Sequence, residues 1–150
     1  MRSSAASAVA LIDTSAILAL VDQSERWHDV CLRVFNNTRL PFITSEAVLT
    51  ESFHLSRRKD RDARAIWRLI RSGALLMETI AHEELSRVQS LMVLYADCPM
   101  DFADATLVYL AARHRLSTVL TLDVNDFETY RLPGGKKFTI FPGSPRMLRL

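Results

Sequence analysis

Short apolar runs alternate along the chain with longer stretches in which apolar residues recur every three or four positions. The runs are typical of buried strands, and the three-to-four spacing is typical of helices that bury one face. In the clearest amphipathic helix, residues 82–95, one face carries Leu85, Val88, Leu91, Met92 and Tyr95. The pattern predicts strands over residues 8–12, 41–43, 74–80, 118–122 and 138–141. It predicts helices over residues 16–21, 26–35, 45–57, 62–72, 82–95, 101–114 and 127–130.

The order of these elements indicates a fold class. Strands alternate with helices, and the strands are apolar throughout, which is typical of a parallel sheet covered on both faces. We therefore expect an α/β fold, a three-layer α/β/α sandwich with a central parallel sheet. Ligands of such sheets bind outside the carboxyl ends of the strands, where the strand order reverses. Asp13 and Asp123 each follow a predicted strand, so each lies where a site is expected.

Length and composition set the domain organisation. With 150 residues, 49% of them hydrophobic, the chain is expected to form a single domain over residues 1–150 with its core at about 8–142. The Ser/Ala-rich residues 2–8 and the Pro/Gly/basic residues 132–149 are expected to be partly disordered. Cys31 and Cys98 lie in apolar settings and are interpreted as reduced core thiols rather than a disulfide.

Charge and hydropathy exclude some functions. A formal net charge of +2 does not identify a nucleic-acid-binding protein by itself. No apolar run is long enough to span a bilayer, so no membrane partner is expected. Asp13 interrupts the apolar run at residues 8–21, which argues against a signal peptide. We expect a cytoplasmic protein.

Two further acids interrupt apolar helix faces. Glu51 shares a face with Val48 and Leu55, and Asp104 shares a face with Val108, yet neither has a Lys or Arg three or four residues away. Taken singly, Asp13 and Asp123 are better explained as helix caps, as are Asp101 and Asp126. The capping explanation weakens for the four acids Asp13, Glu51, Asp104 and Asp123 taken together. If their carboxylates converge, they repel one another unless a proton or a cation intervenes.

A hard divalent cation resolves that repulsion. Carboxylate oxygens suit Mg²⁺ or Mn²⁺, whereas the four histidines are scattered singly and do not have zinc-ligand spacing. Such a metal supports phosphodiester hydrolysis. Haloacid-dehalogenase-type phosphatases need a second Asp two residues after the first, where this chain has Ser15, and a receiver-domain arrangement is not evident. None of the four glycines forms a dinucleotide-binding or P-loop motif.

The motifs LIDTSAILAL, TSEAVLTESFHL and FADATLVYLAARHRLSTVLTLDVNDF, in this order, resemble the PIN domain family, and in particular its VapC-like toxins. The resemblance implies a metal-dependent endoribonuclease, the toxin of a toxin–antitoxin pair, with an RNA substrate, a small antitoxin partner and a homodimer. It places Asp13, Glu51, Asp104 and Asp123 at the family's four acidic positions, as catalytic residues and metal ligands, with Asp126 as an additional acid. The alternative is a non-catalytic PIN-fold module that binds RNA or docks a protein.

Ser15 and Thr121 lie beside the acids in sequence. Their hydroxyls are candidates to orient a water or ligand, and they are equally well explained as a turn hydroxyl and a strand threonine.

Arginines form a stripe on one predicted helix. They recur at spacings of four and three, opposite apolar residues, at Arg57, Arg61, Arg64, Arg68 and Arg71. The stripe, in particular its members from Arg61 to Arg71, is either an RNA-binding surface that contacts phosphates or an ordinary solvated face. Trp67 lies nearer the apolar side and is expected in the core.

Overall fold

The computed structural model describes Ala8 and residues 10–143. In this part of the chain the strands are β1 (Ala10–Ile12), β2 (Phe42–Ser45), β3 (Leu75–Glu78), β4 (Thr118–Leu120), β5 (Arg131–Leu132), β6 (Lys136–Lys137) and β7 (Thr139–Phe141). Five of them form a parallel sheet in the order β3-β2-β1-β4-β7, and β5 and β6 pair separately as an antiparallel hairpin. The predicted central parallel sheet is confirmed.

Helices flank the sheet and complete the α/β/α sandwich. They are α1 (Thr14–Val21), α2 (His28–Asn36), α3 (Glu46–Leu55), α4 (Asp60–Arg71), α5 (Leu85–Leu94), α6 (Phe102–His114) and α7 (Val124–Thr129), with 3₁₀ turns at His82–Glu84 and Pro133–Gly135. Helix α6 contributes more buried residues than any other helix in the described part of the chain, eight of its thirteen. It carries Asp104, so that acid is held by a helix with little freedom to move.

The strand order reverses between β1 and β4. The chain runs outward from β1 through β2 to β3, and then returns to the other side of β1 with β4. The backbone N–H of Asp13 donates to the carbonyl of Leu120 at 3.0 Å, which joins the carboxyl ends of the two strands at the reversal. This is the position at which open α/β sheets bind ligands.

Most element boundaries follow the predicted pattern, with physical reasons where they differ. The fourth strand ends at Leu120 rather than residue 122, because the backbone of Leu122 and Asp123 bonds to side-chain hydroxyls instead of a neighbouring strand. The helix expected at 127–130 begins earlier, at Val124. The helix expected at 82–95 is divided into a 3₁₀ turn and α5, of which only Val88 is buried.

Two predictions about core residues are wrong. Cys98 is exposed, in the turn that precedes Met100, whereas Cys31 is buried as expected, and both thiols are free. Trp67 is 52% exposed, since it covers Phe53 at the protein surface with a ring-centroid distance of 4.9 Å.

The ends of the chain differ from expectation only in part. Residues 132–143 follow a defined path through β5, β6 and β7, with Gly134 and Gly135 at φ of 79° and 75° in the connecting turn. That left-handed conformation favours glycine at both positions. Residues 2–7 and 144–149, the remainder of the two segments expected to be partly disordered, lie outside the described residues. No helix within the described ranges has the length and apolar character needed to cross a membrane.

Candidate active site

Asp13 lies at the end of β1 and is only 2% exposed. Its side chain makes no capping hydrogen bond to α1, so the capping interpretation fails here. Instead, its Oδ2 accepts a hydrogen bond of 3.0 Å from Thr121 Oγ1, across the strand reversal. Burying an ionised carboxylate costs free energy unless enough donors or a cation meet it.

Two hydroxyls hold the end of β4 beside Asp13. Ser15 Oγ accepts from the backbone N–H of Leu122 at 2.9 Å, and Thr121 Oγ1 accepts from the N–H of Asp123 at 3.0 Å. The two hydroxyl oxygens are 3.3 Å apart. Both residues therefore orient the backbone that carries Asp123, and Thr121 also orients Asp13. Asp123 itself does not cap α7 through its side chain.

Asp104 projects from the first turn of α6 toward the same acids. Its backbone N–H donates to the capping Oδ1 of Asp101 at 2.7 Å, and its Oδ2 accepts from the hydroxyl of Tyr130 at 2.8 Å. Partial burial is the main cause that raises the pKa of Asp104 to about 7, and the negative charges of Asp101, Asp126 and Asp123 contribute to that value, while the hydrogen bond from Tyr130 opposes it.

Burial and neighbouring negative charges also raise the pKa values of Asp13 and Asp126. Burial, followed by the charges of Asp104 and Asp123, holds the pKa of Asp13 well above its ordinary value. Partial burial and the charges of Asp123 and Asp101 raise the pKa of Asp126. Asp13, Asp104, Asp123 and Asp126 are therefore close enough to repel one another.

Glu51 is placed differently. It is half-buried on α3 and lines an adjoining groove of about 810 Å³, together with Glu46, Asp101 and Phe102. The charges that most raise the pKa values of Asp13 and Asp104 come from aspartates and not from Glu51. The structure thus brings four predicted acids together and sets Glu51 at the edge of the cluster, on the side of Asp101.

The acids of the cluster could serve as ligands of a metal ion. Within residue 8 and residues 10–143, no three His, Cys, Asp or Glu side chains are already arranged as a metal-ligand group. Mg²⁺ does not require one, because it typically keeps several waters and binds one or two carboxylates. The crowded carboxylates offer only oxygen ligands, and a cation would offset the repulsion that contributes to the raised pKa values of Asp13, Asp104 and Asp126. The residues fit a hard divalent ion.

The arginine stripe lies on the surface. Arg61, Arg64, Arg68 and Arg71 are exposed on α4, whose buried side carries Asp62 and Ile66, while Arg57 precedes the helix. Arg64 pairs with Asp60 at 3.2 Å, and both side chains are mostly exposed. A pair of that kind contributes little to stability, so the guanidinium is available to another anion.

Tyr130 is a site residue that the sequence reasoning missed. It ends α7, where it follows Asp126 by one helical turn, and its hydroxyl reaches Asp104 on another helix. The spacing of four from Asp126 was the only signal in the sequence, because an aromatic residue at that position is usually explained by the core.

Comparisons with known proteins agree with this geometry. The family model described as PIN domain matches residues 10–131. Ribonuclease VapC26 from Mycobacterium tuberculosis (strain ATCC 25618 / H37Rv) is 33% identical over 134 residues, which cover 88% of this chain and 99% of that protein.

A solved structure shares the fold. The crystal structure of Mycobacterium tuberculosis VapC20, described as a Sarcin-Ricin loop cleaving toxin, superposes with a TM-score of 0.69 at 21% identity, over 76% of this chain and 89% of that one. The resemblance expected from the sequence is confirmed: the chain belongs to the PIN domain family and is similar to its VapC-type members.

Proposed function

We propose that this PIN-domain protein is a VapC-like, divalent-metal-dependent endoribonuclease that hydrolyses RNA phosphodiester bonds. The observation that carries the proposal is the buried Asp13 at the strand reversal, with a pKa raised by its burial and by the charges of Asp104 and Asp123. Mutually repelling carboxylates with raised pKa values are typical of sites that bind a cation or a proton. The ribonuclease name of the relative that is 33% identical supports the same activity.

Asp13, Asp104 and Asp123 would hold Mg²⁺ or Mn²⁺ in this proposal, with Asp126 and Glu51 in supporting positions. When bound, the cation supplies an activated water and stabilises the oxygen that leaves the cleaved phosphodiester. The Thr121 hydroxyl donates a hydrogen bond to Asp13 and accepts one from the backbone N–H of Asp123, so it keeps both acids in place without contributing charge. Ser15 supports the same turn through Leu122.

The groove beside Asp101 extends the proposed site. Glu51, Glu46 and Glu78 supply acceptors there, while Ile80, Leu85 and Phe102 supply apolar surface. An antitoxin segment with a basic side chain would suit this groove, because an Arg or Lys can take the place of the cation against the acids. A partner that co-purifies with the chain and leaves both metal binding and cleavage unchanged would rule out this mode of inhibition.

The proposal also includes a cytoplasmic homodimer formed by a single domain over residues 1–150. Apolar side chains at the end of α5 are compatible with a self-association surface, since Val93 is 68% and Leu94 is 70% exposed. Sedimentation of the purified chain measures this directly. A monomer at all concentrations would remove the homodimer from the proposal and leave the nuclease site unaffected.

A non-catalytic PIN-fold module is the second candidate. The acids disfavour it, because a binding or docking module has no need to bury Asp13 and raise its pKa. The test is cleavage of RNA by the Asp104→Asn variant at saturating Mg²⁺ or Mn²⁺. We expect the activity to be abolished in a folded protein, whereas full cleavage by that variant would refute the assignment.

A further inference from the structure

Tyr130 joins two parts of the candidate site that belong to different helices. It ends α7, which begins directly after Asp123 and contains Asp126, and its backbone N–H donates to the Asp126 carbonyl at 3.1 Å. Its hydroxyl then crosses to α6 and donates to Asp104 Oδ2 at 2.8 Å. One residue therefore fixes the spacing between Asp104 and the segment that carries the other acids.

The ring of Tyr130 is held on two sides. It is 1% exposed and makes edge-on contacts with Tyr95 and Phe127, both with ring centroids 5.2 Å away. Phe127 in turn packs edge-on against Phe138 at 5.5 Å. A ring clamped in this way has one direction for its hydroxyl, so the hydrogen bond to Asp104 is imposed by the core and is not one of several rotamers.

We propose that Tyr130 is a positioning residue that orients the Asp104 carboxylate for the divalent cation. The hydroxyl engages Oδ2 and leaves Oδ1 without that bond, so the carboxylate is presented in one orientation. Hydrogen bonds of this kind, made to a ligand rather than to the metal, typically contribute about 10- to 100-fold to metal affinity or activity. This inference rests on the proposed metal-dependent function.

The test measures Mn²⁺ affinity of the full chain by titration, followed by electron paramagnetic resonance of free Mn²⁺. Tyr130→Phe removes only the hydroxyl and keeps the ring. The matched control is Tyr95→Phe, which removes a hydroxyl from the same aromatic cluster, where it accepts a hydrogen bond from the backbone N–H of Arg131 at 2.8 Å. We expect about tenfold weaker Mn²⁺ binding for Tyr130→Phe and a change under twofold for Tyr95→Phe.

Enzyme kinetics and a double variant distinguish a positioning role of Tyr130 from a general disturbance of the site. Tyr130→Phe is expected to lower kcat for RNA cleavage and to leave KM for RNA within twofold. In an Asp104→Asn background it should have no further effect on Mn²⁺ affinity, because a residue that acts through Asp104 loses its role with that carboxylate. Equal Mn²⁺ affinity in the two Tyr→Phe variants, or a further loss in the Asp104→Asn background, would overturn the inference.

Two more measurements distinguish a failure of the role of Tyr130 from a failure of the proposed function. If Asp13→Asn abolishes Mn²⁺ binding while Tyr130→Phe leaves it unchanged, the role of Tyr130 fails and the proposed function stands. If the unmodified chain binds neither Mn²⁺ nor Mg²⁺, both fail. If Tyr130→Phe does not fold, the NMR resonance of the Tyr130 hydroxyl proton in the unmodified chain provides the test instead. We expect Mg²⁺ to shift this resonance and not that of the Tyr95 hydroxyl proton. An unshifted Tyr130 resonance would overturn the inference.

Discussion

Asp104 shows most clearly how one residue couples stability to function. Its pKa is raised from 3.8 to about 7, chiefly by burial, so the folded protein keeps a proton that the unfolded chain releases at lower pH. The free energy of unfolding of the metal-free protein should therefore fall as pH rises from about 4 to about 7. The carboxylate is costly to stability at neutral pH, which is expected of a group retained for binding.

The first prediction follows from that linkage. In the presence of a chelator, Asp104→Asn should match the unmodified protein at pH 4 and exceed its stability at pH 8 by on the order of 1 kcal/mol, a figure reduced because the carboxylate is partly exposed. Urea unfolding at the two pH values measures it. Excess Mg²⁺ should remove or reverse the gain, since the metal stabilises only the chain that binds it. If the two proteins differ in their free energy of unfolding by the same amount at both pH values, ionisation of Asp104 does not destabilise the folded protein.

Glu51 calls for a different comparison, because the structure sets it at the edge of the aspartate cluster. We predict that Glu51→Gln lowers RNA cleavage about tenfold, a smaller loss than for the aspartates, since its carboxylate acts from the adjoining groove. Glu46→Gln is the matched control: it lines the same groove on the same helix but is exposed, and its cleavage should stay within twofold. Equal rates for the two variants would remove Glu51 from the site.

At the scale of elements, helix α4 and its arginines provide the next prediction. Phosphate contacts contribute to affinity for any sequence and make binding dependent on salt. Arg64→Ala with Arg68→Ala should therefore weaken RNA binding and flatten the slope of log affinity against log salt, with cleavage at saturating RNA little changed. The measurement is a salt titration in Ca²⁺, which suppresses cleavage.

A matched control has the same net charge as the Arg64→Ala, Arg68→Ala variant. Arg33→Ala with Arg87→Ala removes two exposed arginines from α2 and α5, so any effect of net charge alone appears there as well. If both double variants retain the parental slope and affinity, the stripe is a solvated face.

The elements themselves were largely predictable, because their signals are local. Apolar runs marked the strands and i, i+4 spacing marked the helices, so the parallel sheet and the positions of Asp13 and Asp123 followed from the sequence. The hydroxyl contacts of Ser15 and Thr121 with residues more than a hundred positions away did not. The hydrogen bond between Tyr130 and Asp104 and the exposure of Cys98 and Trp67 could not be predicted from the sequence either. Each of them depends on which elements lie next to one another in the fold.

At the scale of the whole molecule, the fold gathers acids from distant parts of the chain at one edge of the sheet. β1 delivers Asp13, the turn after β4 delivers Asp123, and α6 delivers Asp104. The strand order reverses between β1 and β4 at this edge, and burial, together with the repulsion between the acids, raises the pKa values of Asp13 and Asp104. A bound divalent cation is the central claim of the proposed function.

The most direct test of that claim is single-turnover cleavage of RNA by chelator-treated protein as Mg²⁺ or Mn²⁺ is restored. We predict no cleavage without metal, a rate that rises and saturates with metal, and a loss of at least a thousandfold in Asp13→Asn, since removing a group central to the chemistry has effects on that order. Asp97→Asn, which neutralises an exposed aspartate, should cleave like the unmodified chain. Cleavage that persists in excess chelator, or an Asp13→Asn variant as active as Asp97→Asn, would contradict the account.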